Sequence, residues 1–115
     1  MKQLWNRTQN SKLLSHLVVA TSFVDRGIGL LKKNNLEEQE GLWIHRCNSI
    51  HTFFMKFPID CIFLDKNLVV QDLVENISPW QVVLPRWSSR SVIEIKSGII
   101  KKYQLKKGDQ LDVVS

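Results

Sequence analysis

The stretch "IDCIFLDKNLVVQDLVEN", residues 59–76, decides how the rest of the chain is read. An unbroken apolar run is followed by Asp65, Lys66 and Asn67 and then by a second β-rich run from Leu68 to Val74. Turn residues between two such runs predict a β-hairpin. Period two along the first run places Asp60 with Ile62 and Leu64 on one face, and Ile59, Cys61 and Phe63 on the other. Both faces are apolar, so this strand is expected in the interior with Asp60 buried at its start. A buried carboxylate requires hydrogen bonds or a cation. Asp60 is therefore expected to be a structural anchor, with Pro58 fixing the backbone just before it.

Outward from the hairpin, other short strands are expected over residues 2–8 and 13–20, separated by the turn "QNSK", and over "GLWIH", "QVVLP", "SVIEIK" and the end of "KKGDQLDVV". Two interruptions have helical character. Val24, Ile28 and Leu31 recur at helical spacing behind Ser22 and Asp25. Ser97 is placed to cap a second helix across "GIIKKYQL". The sum is one α+β domain over residues 1–115: compact, mainly antiparallel, partly curled toward a barrel, with two short helices. Glu94 is expected to face solvent or pair with a basic residue, and Asp109 after Gly108 to serve a turn.

The 115 residues suffice for one core, and 43% apolar residues with few Gly and Pro exclude a disordered chain. The net charge of +5 is spread out, densest at Lys32 and Lys33 and at Lys101, Lys102, Lys106 and Lys107. Aromatic residues are not interleaved with these pairs as stacking platforms, so nucleic acid is an unlikely partner and binding through the lysines a weaker alternative. No apolar run reaches the ~18 residues of a membrane span, and the N-terminal stretch does not read as a signal peptide. A cytoplasmic protein with reduced thiols at Cys47 and Cys61 is the expectation.

The reactive side chains concentrate in "HRCNSIHTFFMKFPIDC", residues 45–61. His45, Cys47, His51 and Cys61 do not match paired zinc-ligand spacing, so no metal or other cofactor is assigned. The segment before Ile59 reads as a loop. In it His51, Thr52, Met55 and Lys56, with Trp80 from elsewhere, combine donors, a cation and apolar surface and are candidate binding residues for a small molecule or a protein partner. No catalytic residue is assigned. The alternative from another class is a hydrolase or transferase with Cys47 or His51 as the reactive group and Asp60 as orienter.

The segment "CNSIHTFFMKFPIDCIFLDKN" resembles the bacterial and archaeal family catalogued as domain of unknown function 192, with supporting matches in "RGIGLLKK", "PWQVVLPR", "VIEIKSG" and "LKKGDQL". The resemblance covers roughly residues 20–112 and implies a compact β-rich domain without an agreed activity. It supplies no catalytic residues. Phe54 departs from it, since relatives often carry Gly or Trp there.

Overall fold

A computed structural model describes residues 2–20 and 35–115. Among these residues the strands are β1 (Lys2–Asn6), β2 (Ser11–Ala20), β3 (Glu40–His45), β4 (Ile50–His51), β5 (Ile59–Leu64), β6 (Val70–Ile77), β7 (Val82–Val83), β8 (Ser91–Lys96) and β9 (Leu111–Val114), and a short helix, α1 (Ile99–Lys102), lies between β8 and β9. A seven-stranded sheet has the order β6-β5-β8-β3-β2-β1-β9, and β4 and β7 form a separate ribbon. All pairs in the large sheet are antiparallel except β2 with β3, whose parallel register runs from His16 opposite Glu40 to Ala20 opposite Ile44. Parallel neighbours need a long crossover, which here is the connection between Ala20 and Glu40.

The sheet curls until its ends meet. Val69 bridges Gln110, the Val70 amide donates to the Asp109 carbonyl at 2.9 Å, and the Leu111 amide donates to the Leu68 carbonyl at 2.9 Å. These bonds satisfy edge groups that an open sheet would expose. Leu4, Leu14, Ile62, Leu64, Ile93 and Leu111, from strands all round the curl, fill its inside with Ile99 and Ile100 of α1. Leu42, Ile44, Ile59, Cys61, Phe63 and Val92 form a second core on the other face of the central strands, covered by Ile50, Met55, Phe57 and Val83 from β4, β7 and their connections. Apolar layers on both sides explain why every residue of β5 is buried and why its sequence lacks alternation. Gly41 permits the curl at β3, since a Cβ there would lie 2.5 Å from Leu14 Cδ1 and 3.2 Å from Ile95 Cγ2.

The described residues are thus mostly β, a curled half-barrel with one short helix, so of the two helices expected one falls among them. The helix expected around Val24 to Leu31 lies outside the described residues. The second one spans four residues rather than eight, and Ser97 does not cap it: its hydroxyl donates to Asn76 Oδ1 at 2.8 Å. Gly98 occupies the N-cap position at φ 99, and the turn stops at Gln104, φ 52. The first hairpin also turns earlier than "QNSK", because Asn6 Oδ1 accepts the Thr8 and Gln9 amides at 3.1 and 3.3 Å and ends β1 there. Glu94 is fully buried rather than solvent-facing, on the row that aligns Leu42, Glu94 and Cys61 across three strands. Asp109 serves its turn by accepting the Lys106 amide at 3.0 Å and also accepts from the buried Asn6 amide group at 2.9 Å.

Candidate functional site

Thr52 organises the central loop. It is fully buried, between β4 and a turn over residues 52–55. Its carbonyl accepts the Met55 amide at 3.2 Å, closing that turn, and the Trp80 amide at 2.9 Å; its own amide donates to the Gln81 carbonyl at 2.9 Å. Its hydroxyl donates to the Ser78 carbonyl at 2.7 Å and accepts the Gln81 amide at 2.8 Å. One side chain and its peptide groups therefore clasp two turns that lie 26 to 29 residues apart. Short β4–β7 pairing, Ile50 with Val83 and His51 with Val82, extends the same junction.

The consequence is the placement of two large rings. Phe54 and Trp80 each sit at φ 66, a region that bulky side chains rarely occupy. Both project outward, 66% and 58% exposed, with ring centroids 4.7 Å apart. Phe53 stacks on Trp80 at 5.9 Å and on His51 at 4.9 Å. His51 Nδ1 accepts the Phe53 amide at 3.3 Å, so that nitrogen is the acceptor side of the ring. The left-handed position at 54 gives the physical reason why glycine suits it. Val82 and Leu84 add exposed apolar surface on the β7 side of the junction.

The remaining residues singled out in the sequence divide by location. Met55 packs in the core, 4% exposed, and does not belong to the outer surface. Lys56 and Pro58 are exposed, and Phe57 between them is buried in the second core. Asp60 is fully buried and accepts the amides of Asn76 at 2.7 Å, Gly98 at 3.0 Å and Ile100 at 3.0 Å. These donors belong to β6 and to the start of α1, and none to the central loop or to His51. Cys47 Sγ donates to the Ser49 carbonyl at 2.8 Å, and Cys61 lies between the apolar neighbours Ile59 and Phe63 in the core. The residues of the hydrolase or transferase alternative are therefore not aligned through Asp60. Among the described residues no group of three His, Cys, Asp or Glu side chains is placed to hold a metal, and no helix is long and apolar enough to cross a membrane.

Phe54 belongs to this outer surface, and its departure from the family pattern is the signal in the sequence that marks it. Three cations at the opposite end of the loop carry no such signal. Arg46, Lys66 and Arg90 are separated by 20 and 24 residues, and no local motif connects them. All three line two adjoining clefts of about 390 Å³ each, the first with Cys47, Asn48 and Ser89, the second with Trp43, His45 and Asp65.

A family model described as uncharacterized ACR, the domain of unknown function 192, matches residues 5–113. A UPF0127 protein of Pyrococcus horikoshii is 35% identical over 109 residues, covering 92% of this chain and 94% of its own. Another UPF0127 protein, from Pyrococcus abyssi, is 29% identical over 113 residues, with 96% of each chain covered. A solved structure from Novosphingobium aromaticivorans, of unknown function, superposes with TM-score 0.77 at 20% identity over 96% of this chain and 82% of its own. One from Sinorhizobium meliloti, described as a candidate transcription regulator, gives 0.78 at 16% identity, with 97% and 91% covered. At such identities the two structures share the fold alone. With its half-barrel and the central Ser-Ile-His-Thr-Phe and Phe-Pro-Ile-Asp segments, the chain belongs to the uncharacterized DUF192 family, the UPF0127 proteins.

Proposed function

We propose that this chain is a non-catalytic binding domain whose contact surface is the aromatic platform of His51, Phe53, Phe54 and Trp80. The observation that carries the reading is the pair of non-glycine rings held outward at φ 66. Left-handed backbone at bulky residues costs on the order of 1–3 kcal/mol each and persists where the surroundings over-determine it. Here the Thr52 clasp supplies that determination, yet the rings gain little burial in return. Exposed aromatic clusters of this kind serve as anchors in protein interfaces, where Trp and Tyr bury large area at small entropic loss. The outward-facing rings, with Val82 and Leu84 beside them, suit an apolar face of a partner protein.

The test is site-specific photo-crosslinking in the native host, with a photoreactive phenylalanine analogue at Phe54 and a control at the exposed Lys12. A discrete adduct formed from position 54, missing from position 12 and lost with Trp80→Ala, is expected. Phe54→Ala and Trp80→Ala should each remain within about 1 kcal/mol of the parent stability, as exposed side chains do. Adducts indifferent to Trp80→Ala, or unfolding of these variants, would make the rings structural and remove the reading.

A further inference from the structure

We infer that the end of the half-barrel bearing Arg46, Lys66 and Arg90 binds a small, multiply charged phosphate compound, at a site separate from the aromatic platform. The backbone brings these cations together. Arg46 follows β3 directly and is held at φ 51. The next amide, of Cys47, donates to the Arg90 carbonyl at 3.0 Å, and the Arg90 amide donates to the Leu64 carbonyl at 2.7 Å. The ends of β3, β5 and β8 are thereby tied to one another, with Lys66 in the turn just beyond Leu64. The buried Ser89 reinforces the knot, its hydroxyl donating to the Leu64 carbonyl at 3.2 Å.

The charges at this mouth are not balanced. No carboxylate among the described residues is within ion-pair distance of Arg46, Lys66 or Arg90, whereas Arg7, Arg86, Lys102 and Lys107 all have acidic partners. Asp65 lines the second cleft, but its Oδ1 already accepts the Asn67 and Val69 amides at 2.8 and 3.0 Å and its Oδ2 the Gln71 amide group at 3.2 Å. Its single charge leaves a net excess of two at the mouth. Like charges gathered in a concave site create a focused positive potential, which an oxyanion relieves. Two arginines offer the forked donors that suit phosphate oxygens, and a lysine adds a mobile point charge.

A second observation comes from the wall of the same cleft. Trp43 and His45 line it with rings 4.1 Å apart, and the indole Nε1 and imidazole Nε2 are shielded from solvent without a hydrogen-bond partner among the described residues. Shielded polar atoms without partners are uncommon in folded proteins and mark places where a further polar group is accommodated. These two ring nitrogens, in residues that line the same cleft as the three cations, are the further polar groups available to a bound anion.

Sodium pyrophosphate, titrated at constant ionic strength against the isotopically labelled full chain, tests the site by amide and indole NMR shifts, with sodium sulfate and inorganic phosphate run alongside. Saturable shifts are expected at Arg46, Cys47, Lys66, Arg90 and the Trp43 indole, stronger for pyrophosphate than for either single-centre anion. The exposed Lys66→Ala and Arg90→Ala should each weaken pyrophosphate binding roughly tenfold, the worth of one charge-assisted contact. Phe54→Ala with Trp80→Ala should leave that affinity unchanged, so failure of the platform and failure of this site are told apart. The inference is overturned by shifts that do not saturate, by shifts centred on Lys101, Lys102, Lys106 and Lys107, or by a folded Lys66→Ala/Arg90→Ala variant with parental affinity. Equal response to sulfate, or preferential binding of single-stranded RNA that the double variant retains, also overturns it.

Discussion

Asp60 starts α1 although it lies 38 residues before Gly98. Its side chain is fully buried, and its two oxygens receive three backbone amides, from Asn76, Gly98 and Ile100. Gly98, at the N-cap, has no side chain to do this work, so the capping acceptor comes from the neighbouring strand. Asp60→Ala leaves those donors unpaired and should lower unfolding free energy by about 3 kcal/mol. Asp60→Asn keeps an acceptor oxygen and should lose less. His51→Ala, at a half-buried side chain, should cost less stability than Asp60→Ala. Urea unfolding of the three variants orders them, and an Asp60→Ala protein as stable as the parent would mean that the Gly98 and Ile100 amides find another acceptor.

Between elements, the Thr52 hydroxyl is the fastener. The ribbon of β4 and β7 contributes only two residue pairs, too few to hold itself together in water. What holds it is the bonding of Thr52 to Ser78 and Gln81, together with Ile50, Met55 and Val83 packed on the second core. Thr52→Val preserves shape but leaves the Ser78 carbonyl and the Gln81 amide without that oxygen, at a cost of about 2 kcal/mol. Thr52→Ser should recover most of it. Hydrogen exchange at Gln81 and Trp80 should accelerate in the valine variant ahead of the amides of β5 and β8, because the junction opens locally before the sheet does. Uniform acceleration across all strands would show instead that the ribbon and the sheet open as one unit.

At the level of the whole molecule, acid stability has an identifiable contributor. Asp72 on β6 accepts from Arg86 Nε at 2.8 Å, and the Arg86 guanidinium also lies over the buried Phe63 ring at 5.0 Å. Burial pushes the Asp72 carboxyl up, but the Arg86 hydrogen bond, the Leu73 amide and the charges of Arg86 and Lys107 together outweigh it and hold the group below its usual range. A carboxyl depressed in the folded state stabilises fully above its unfolded value, near 3.9, and loses that contribution as pH falls through the folded value. Asp72→Asn should thus be about 1 kcal/mol less stable than the parent at neutral pH, and the difference should shrink as pH is lowered through and below the usual carboxylate range. Urea midpoints across that range check it, and a constant difference would assign the loss to packing rather than charge.

The sequence by itself determined most of the strands, β4 at Ile50–His51 in the stretch read as a loop excepted, because side-chain period and turn chemistry are set by residues a few positions apart. The 59–76 hairpin, the doubly apolar face of β5, the pairing of the N-terminal strands and the turn at Gly108 were all legible in this way. Only the tertiary structure decided which distant groups meet. Asp60 was recognisable as a carboxylate in need of donors, and the curl of the sheet supplied them from Asn76, Gly98 and Ile100, 16 to 40 residues further along the chain. Met55 has the chemistry of a groove residue and is core, while Phe54 beside it is surface, because the bond from Met55 to the Thr52 carbonyl turns one inward and the other outward. Arg46, Lys66 and Arg90 become one cleft through the register of β3, β5 and β8. Register and closure depend on the fit of the entire sheet around its core, and no short window of residues contains that fit.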